Sequence, residues 1–347
     1  MDSRDLAAYR LSDSVRRSDP QYDQNRGEGL ILGARTDLAV EARDMVAGDG
    51  AGQISGVVSE EEQGQYSKTV VVRVQTDEGA RILGKRKGLY VTIETENLKN
   101  SQKQAKDEVA TTLGRHIRSM LAELGVTEDQ EVLVAGLGNW KATPDAVGPS
   151  VVGKLLVTRH LRNFVPPEKQ GSLRPVSALS PGVLGITGIE TAEILSSVVE
   201  RTQPAAVIVI DALASRSVSR IGSSVQIGNT GIHPGSGVGN RRNGIDRESL
   251  GVPVLAIGVP TVVDAVTIIS DAVDLLSPQE SIGGDHGVSD MRKTSLAKAL
   301  GPQIGSMVVT PKEIDVIVEV ASTVVAGGLN TALHPGLSEE EIYEYLN

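Results

Sequence analysis

Two aspartates follow short apolar runs and could form a catalytic carboxyl pair. Asp211 comes directly after a run of Val and Ile at 207–210, and Asp145 follows a similar run at 132–135 by way of Thr143 and Pro144. An acid that ends a strand lies at the carboxyl edge of a sheet, where open α/β folds bind their ligands. Two neighbouring carboxyl groups cannot both ionise cheaply, so one of them retains a proton. The pattern therefore predicts general acid and base chemistry at Asp145 and Asp211.

Structural interpretations of both acids stay open at this point. Asp145 lies in the first turn of a predicted helix, where a carboxylate interacts favourably with the helix dipole. Asp211 is interpreted equally well as an acid that caps the turn after its strand.

A glycine-rich run at 228–240 predicts a loop that approaches a ligand closely. Its glycines, among them Gly235 and Gly237, leave backbone amides free to hold an anion or a peptide carbonyl. The run lacks both the Gly-Lys-Ser/Thr of a P-loop and the spacing of a dinucleotide-binding turn, and a plain flexible loop is the alternative. His233 lies within it and, with Asp145 and Asp211, could complete a divalent metal site.

Composition excludes several other classes of site. The chain has no Cys, so thiol catalysis, disulfides and thiolate metal sites are ruled out. There is no G-x-S-x-G motif around a nucleophilic serine. A net charge of −10 without a basic tract argues against binding of a nucleic-acid backbone. No apolar run is identified as a signal or membrane helix, and we expect a soluble intracellular protein.

The elements that must position these residues alternate between strand and helix from about residue 130 to 276. Aromatic residues make up only 2% of the chain, so the core must consist of Val, Ile, Leu and Ala. The alternation predicts an α/β fold with a mainly parallel or mixed sheet and helices on both faces. Residues 1 to about 37 show almost no hydrophobic periodicity and are interpreted as a weakly ordered extension. Strands are predicted at 68–75, 90–94, 132–135, 207–210, 224–227 and 254–257. Helices are predicted at 101–124, 143–161, 187–199, 261–276 and 310–325. Two of these helices have predicted capping boxes, which begin at Thr187 and Thr310.

Several long strings closely resemble the bacterial germination protease, the endopeptidase of spores. The resemblance extends from about residue 35 to His334, and the strings lie at 35–42, 136–139, 143–146, 181–191, 210–214, 230–240 and 258–266. It implies an endopeptidase that is made as an inactive zymogen in the developing spore. Such an enzyme removes its own N-terminal segment and then degrades small acid-soluble spore proteins during germination, in the spore core. The family is tetrameric, and its fold is similar to that of the hydrogenase-maturation proteases, which use a metal site at the same sheet edge.

The resemblance also assigns roles to particular residues. The processing bond falls at Asp37–Leu38, which implies a propeptide at 1–37 and a mature domain at 38–347. The acid before this bond, the apolar residue after it and Ala39 next fit the family's substrate preference. The two suspected catalytic aspartates fall on Asp145 and Asp211. The extension is longer than the usual propeptide, and the region at 281–311 is shorter than the loop that many members carry.

These assignments lead to a mechanistic hypothesis with two rivals. One carboxyl group of the pair takes a proton from water while the other polarises the scissile carbonyl, and amides of the 228–240 loop and near Gly138 act as oxyanion donors. No cofactor is expected. In the first rival a divalent metal ion, held by Asp145, Asp211 and His233, activates the water. In the second the chain is a non-catalytic module that sequesters spore proteins, although a binding module would not need a substrate sequence of its own.

Overall fold

The computed structural model describes residues 36–47, 54–96, 98, 100, 102–161, 173–234, 243–265, 267–269, 272, 307–338 and 341. In this part of the chain one mixed sheet has the strand order β1-β2-β3-β7-β8-β6-β4-β5, with β9 paired to β8. The strands are β1 Val57–Gln63, β2 Ser67–Val74, β3 Gly88–Thr95, β4 Val132–Gly136, β5 Val176–Leu179, β6 Ala206–Ser215, β7 Ser224–Gly228, β8 Val254–Asp264 and β9 Val308–Val309. The helices are α1 Ala39–Ala47, α2 Asp77–Leu83, α3 Lys103–Glu123, α4 Val147–Val152, α5 Leu184–Thr187, α6 Thr191–Thr202, α7 Arg247–Leu250 and α8 Ile314–Leu333.

The predicted mixed sheet is confirmed, and its parallel part is one half of it. Strands β5, β4, β6 and β8 pair in parallel in that order. Strands β1, β2, β3 and β7 form antiparallel pairs, and β7 also joins β8 antiparallel. Strand β7 therefore connects a four-stranded parallel half to an antiparallel half that the alternation of strand and helix did not predict.

Helices cover both faces of the sheet, as expected for this fold class. Along β4, Val132 and Val134 face the core formed with α3, α4 and α8, whereas Leu133 and Ala135 face the core formed with α6 and α7. Helix α1 packs on this second face, where Leu38 and Val40 meet Leu213 of β6. Because side chains alternate along a strand, one aliphatic strand supplies both cores.

Helix α8 is the central helix of the first face and crosses α3 closely. It contains Gly327 and Gly328, where the sequence pattern wrongly predicted its end. A Cβ atom on Gly114 of α3 would lie 2.9 Å from the carbonyl oxygen of Gly328, so a tight helix crossing uses these glycines. Within the described residues, this one helix is long and apolar enough to cross a membrane by length and composition. Most of it is buried in the protein, which identifies it as a core helix.

Three other local predictions are wrong at element ends. The predicted helix at 143–161 is a 3-10 turn, Thr143–Asp145, followed by α4, which ends at Gly153. The predicted helix at 261–276 starts too early, because β8 continues to Asp264 along its partner β6. Neither predicted capping box forms: α6 and α8 begin after Glu190 and Glu313, and neither of these residues makes a side-chain cap.

Candidate active site

Asp211 lies inside β6 and is almost completely buried, with 6% of its surface exposed. The prediction that the strand ends at this acid is wrong, because β8 continues beside it and pairs with β6 as far as Ser215. On the other side of β6, however, the neighbouring strand β4 ends next to Asp211. The last pair between β4 and β6 joins Gly136 and Ile210, so Asp211 is the first residue of β6 beyond the end of β4. The acid therefore lies just beyond the carboxyl end of β4, and four residues before the end of β6.

Asp145 is brought to the same edge by the loop after β4. The Leu137 N–H donates to the carbonyl oxygen of Ile210 at 2.8 Å, which places this loop directly beside Asp211. The Asn139 N–H donates to Asp145 Oδ2 at 2.8 Å. Gly138 has a φ of +111°, and a Cβ atom on it would overlap the backbone of Asp145. The loop at 137–139 thus ties the carboxyl group of Asp145 to the edge where Asp211 lies.

The segment around Asp37 and Leu38 lies on the face of the sheet toward which Asp211 points. Along β6, Val207 and Val209 belong to the core of the second face and Leu213 continues it, so Asp211 shares that face by alternation. Leu38 is fully buried there and shares a cluster with Leu213. The Asp37 N–H donates to the Ala214 carbonyl at 2.9 Å, and the Ala214 N–H donates to Asp37 Oδ2 at 2.9 Å. The chain on either side of this peptide bond is therefore seated against β6, three residues from Asp211.

A buried carboxylate holds the segment in place on its other side. Glu41 is 5% exposed and accepts hydrogen bonds from the Arg216 N–H at 2.7 Å and the Ser217 N–H at 3.0 Å. Its carboxylate also pairs with the guanidinium of Arg220 and accepts from the hydroxyl of Thr36. A buried charge needs several hydrogen-bond donors, and Glu41 finds them in Arg216, Ser217, Arg220 and Thr36. These contacts, which we call the Glu41 clasp, fix the position of the residues between Thr36 and Glu41.

Two side chains that sequence reasoning did not select contact the carbonyl of Asp37. Lys85 Nζ donates to this oxygen at 2.8 Å, and Gln226 Nε2 donates to it at 3.2 Å. In the sheet register Gln226 pairs with Gly258, which in turn pairs with Asp211. Two polar residues of the predicted strand at 224–227, Ser224 and Gln226, alternate with its buried Val and Ile, and this alternation is the signal that could have identified Gln226.

His233 lies beside a different acid from the predicted pair. A Cβ atom on Gly244 would lie 2.7 Å from His233 Nε2 and 3.2 Å from Asp246 Oδ2, which places the ring next to Asp246. Arg86 Nη1 pairs with Asp246 Oδ2 at 2.6 Å. Burial and the nearby charge of Arg86 hold the pKa of His233 below its usual value. The described residues, which include Asp145, Asp211 and His233, contain no group of three His, Asp or Glu side chains arranged to hold a metal ion. Gly235 and Gly237 lie outside the described residues.

Comparisons with known proteins agree on one family. A family model described as germination protease matches residues 36–299 and 279–346. A germination protease of Caldanaerobacter subterraneus subsp. tengcongensis is 47% identical over 328 residues, which cover 92% of this chain and 99% of that protein. The germination protease of Clostridium tetani is 40% identical over 326 residues, covering 91% of this chain and 100% of that protein.

A search of solved structures gives a much weaker likeness. It finds a [NiFe] hydrogenase maturation protease, HycI, from Thermococcus kodakarensis, with 15% sequence identity and a TM-score of 0.25. The match covers 54% of this chain and 97% of that chain.

Proposed function

The chain belongs to the germination protease family and is an endopeptidase, and on that premise we propose that it is a self-processing zymogen. It cuts its own Asp37–Leu38 bond and removes residues 1–37 as a propeptide. The mature domain, 38–347, then degrades small acid-soluble spore proteins in the spore core during germination. We further propose that the mature enzyme works as a homotetramer and has no nucleic acid or membrane partner.

One observation supports self-processing above the others. The Asp37–Leu38 peptide lies on the face of β6 that carries Asp211, with the main chain of Asp37 bonded to Ala214. Leu38 is fully buried in its cluster, and the Glu41 clasp holds the chain after it. A peptide bond held in a fixed orientation on the strand face that carries a buried acid supports an intramolecular cleavage, because such a reaction depends on orientation.

The proposed chemistry is hydrolysis by an acid pair without a covalent intermediate. The ionised carboxylate of the pair takes a proton from water, and the hydroxide adds to the carbonyl carbon of Asp37. The protonated carboxyl group stabilises the developing oxyanion, and the C–N bond breaks as the nitrogen of Leu38 receives a proton. Asp211, buried beside the end of β4, and Asp145, held by the Asn139 N–H, are the two carboxyl groups of this pair.

A metal-dependent mechanism remains the alternative proposal. A divalent ion at Asp145, Asp211 and His233 would lower the pKa of a bound water and supply the nucleophile. His233 lies near Asp246 and Arg86, so this mechanism requires a rearrangement around His233 before the three side chains could share an ion.

The test is intact-mass analysis of the purified full chain after mild acidification. The wild type is compared with Asp145→Asn, with Asp211→Asn and with Asp107→Asn, an exposed aspartate of α3 that serves as a control. We expect the wild type and the control to lose residues 1–37 and both other variants to keep them. Processing in all four chains would contradict the acid pair. Inhibition of the wild type by a chelator, reversed by one added metal, would favour the alternative.

A further inference from the structure

We propose that Lys85 and Gln226 form the oxyanion site of this peptidase. They bind the carbonyl oxygen of the residue before the cut and stabilise the negative charge that develops on it. This inference rests on the proposed self-processing at Asp37–Leu38 and extends it, because it adds two hydrogen-bond donors to the protonated carboxyl group at the substrate carbonyl.

Lys85 brings a cationic donor to this oxygen from a rigid turn. Its ammonium group donates to the carbonyl of Asp37 at 2.8 Å and to that of Thr36 at 3.2 Å. The residue follows Gly84, which ends α2 in the left-handed conformation, and the N–H groups of Gly84 and Lys85 both donate to the Ala80 carbonyl. The turn therefore fixes the start of a long side chain whose end reaches the bond.

Gln226 binds the chain on both sides of Leu38. Its Oε1 accepts from the Ala39 N–H at 2.7 Å, which leaves its Nε2 to donate to the Asp37 carbonyl at 3.2 Å. The first contact sets the orientation of the amide, since an N–H can donate only to the oxygen. One side chain thus holds the second residue after the cut and polarises the carbonyl before it.

The sheet register places this donor in line with the catalytic candidate Asp211. Gln226, Gly258 and Asp211 occupy one row across β7, β8 and β6. Val225 and Ile227 face the first core, so Gln226 faces the second, as Asp211 does. Neighbouring strands are about 4.8 Å apart, so the Cα atoms of Gln226 and Asp211 are separated by roughly 10 Å, with Gly258 between them in the row. A Cβ atom on Gly258 would overlap the side chain of Leu213, so Leu213 covers this glycine and belongs to the same apolar cluster as Leu38, next to the bond that is cut.

The roles of these donors follow from the charge balance of hydrolysis. As the oxygen of water bonds to the carbonyl carbon, the electron pair of the C=O bond moves to the oxygen, which becomes negative. The Lys85 ammonium and the Gln226 amide stay as hydrogen-bond donors to that oxygen and lose no proton. When the C–N bond breaks, the electron pair on the oxygen re-forms the C=O bond. Asp37 then ends in a new main-chain carboxyl group, and the nitrogen of Leu38 is protonated. A cation next to the oxygen stabilises this transition state more than the neutral ground state.

The experiment measures the first-order rate at which the full chain loses residues 1–37, by intact mass. The variants are Lys85→Met, Lys85→Arg and Gln226→Glu, which keeps the acceptor for Ala39 and loses the donor. Lys87→Met is the matched control, because Lys87 is an exposed lysine two residues away that pairs with Asp77. Hydrogen exchange of residues 38–42 is measured on each unprocessed chain, to detect any loosening of the bound segment.

We expect Lys85→Met and Gln226→Glu each to slow processing about 100-fold, as loss of an oxyanion donor does. Lys85→Arg should recover part of the rate, Lys87→Met should match the wild type, and exchange at 38–42 should stay unchanged. A wild-type rate in Lys85→Met would overturn this proposal alone and leave self-processing intact. A slow Lys85→Met chain with increased exchange at 38–42 would also overturn it, because Lys85 would then only hold the segment. A wild type that never loses residues 1–37 would contradict self-processing itself, and this inference with it.

Discussion

Replacing Gly138 by alanine should displace Asp145 and abolish most of the activity without unfolding the protein. Gly138 has a φ of +111°, and its Cα faces the backbone of Asp145. An added Cβ would overlap the carbonyl oxygen of Asp145 and lie 3.2 Å from its Oδ1 atom. The atoms that the Cβ would meet are the backbone and the carboxylate of Asp145, so the turn at 143–145 itself must move.

The size of the effect follows from this overlap. Relief of the overlap requires a shift on the order of 1 Å, since non-bonded atoms prefer separations near 3.5 Å. A misplacement of about 1 Å at a reacting group lowers rates by roughly 100-fold, which corresponds to about 2.7 kcal/mol. The left-handed conformation adds about 1–2 kcal/mol of destabilisation for alanine. We therefore expect a folded variant with a modestly reduced unfolding free energy and a processing rate about 100-fold lower.

The assay is the first-order loss of residues 1–37 from the full chain, with urea unfolding measured on the same samples. Gly125→Ala is the matched control, because Gly125 has a φ of +78° and no atom within 4 Å of an added Cβ. The unfolding free energy of this control should fall by the same amount, about 1–2 kcal/mol, and its processing rate should equal that of the wild type. Equal rates in Gly138→Ala and Gly125→Ala would refute the claim that this loop positions Asp145 for the reaction.

Other predictions concern stability and are checked by urea or thermal unfolding. Gly327→Ala should stabilise the protein by about 0.5–1 kcal/mol, because its Cβ would make an ordinary contact at 3.6 Å with Ala110. Gly328→Ala should destabilise it by about 1–3 kcal/mol, because its Cβ would lie 2.8 Å from the Ala110 carbonyl oxygen. The reverse order of stabilities would contradict the close helix crossing. Burial lowers the pKa of His334 in the folded protein, so the unfolded chain binds a proton first as pH falls. Stability should then decrease below about pH 6.5, by at most about 1.4 kcal/mol per pH unit from this group, and less steeply in His334→Gln. An equal pH dependence in that variant would contradict the assignment.

The local part of the fold could be predicted from the sequence because it depends on neighbouring residues. The apolar positions Val109, Leu113, Ile117 and Met120 recur at helical spacing, and all four are buried in α3. The β-branched runs at 68–75 and 90–94 form β2 and β3 within one or two residues. Such periodic patterns report which side of an element is buried, and they do so before any partner is known.

Element ends and strand order could not be predicted, because distant contacts decide them. Gly327 and Gly328 are a stop signal in an isolated helix, yet they continue α8 because α3 packs on them closely. Val262 and Val263 extend β8 because Ala214 and Ser215 of β6 pair with them. In the first case the partner helix lies more than two hundred residues away in the sequence, and in the second the partner strand lies nearly fifty residues away. In both cases this distant contact outweighs the local conformational preference.

The residues of the candidate site also fall into two groups, those with a local sequence signal and those placed only by distant contacts. Asp145 and Asp211 carry a local signature, because each follows an apolar run, and the end of β4 brings both to one place in the sheet. Lys85 and Gln226 carry no local signature of that kind, since one follows a short helix and the other lies in the middle of a strand. Gln226 reaches the site only because β7 enters the sheet between β3 and β8 and runs antiparallel to both. A parallel β7 would place different residues opposite Gly258, so the oxyanion site depends on the one connection between the two halves of the sheet.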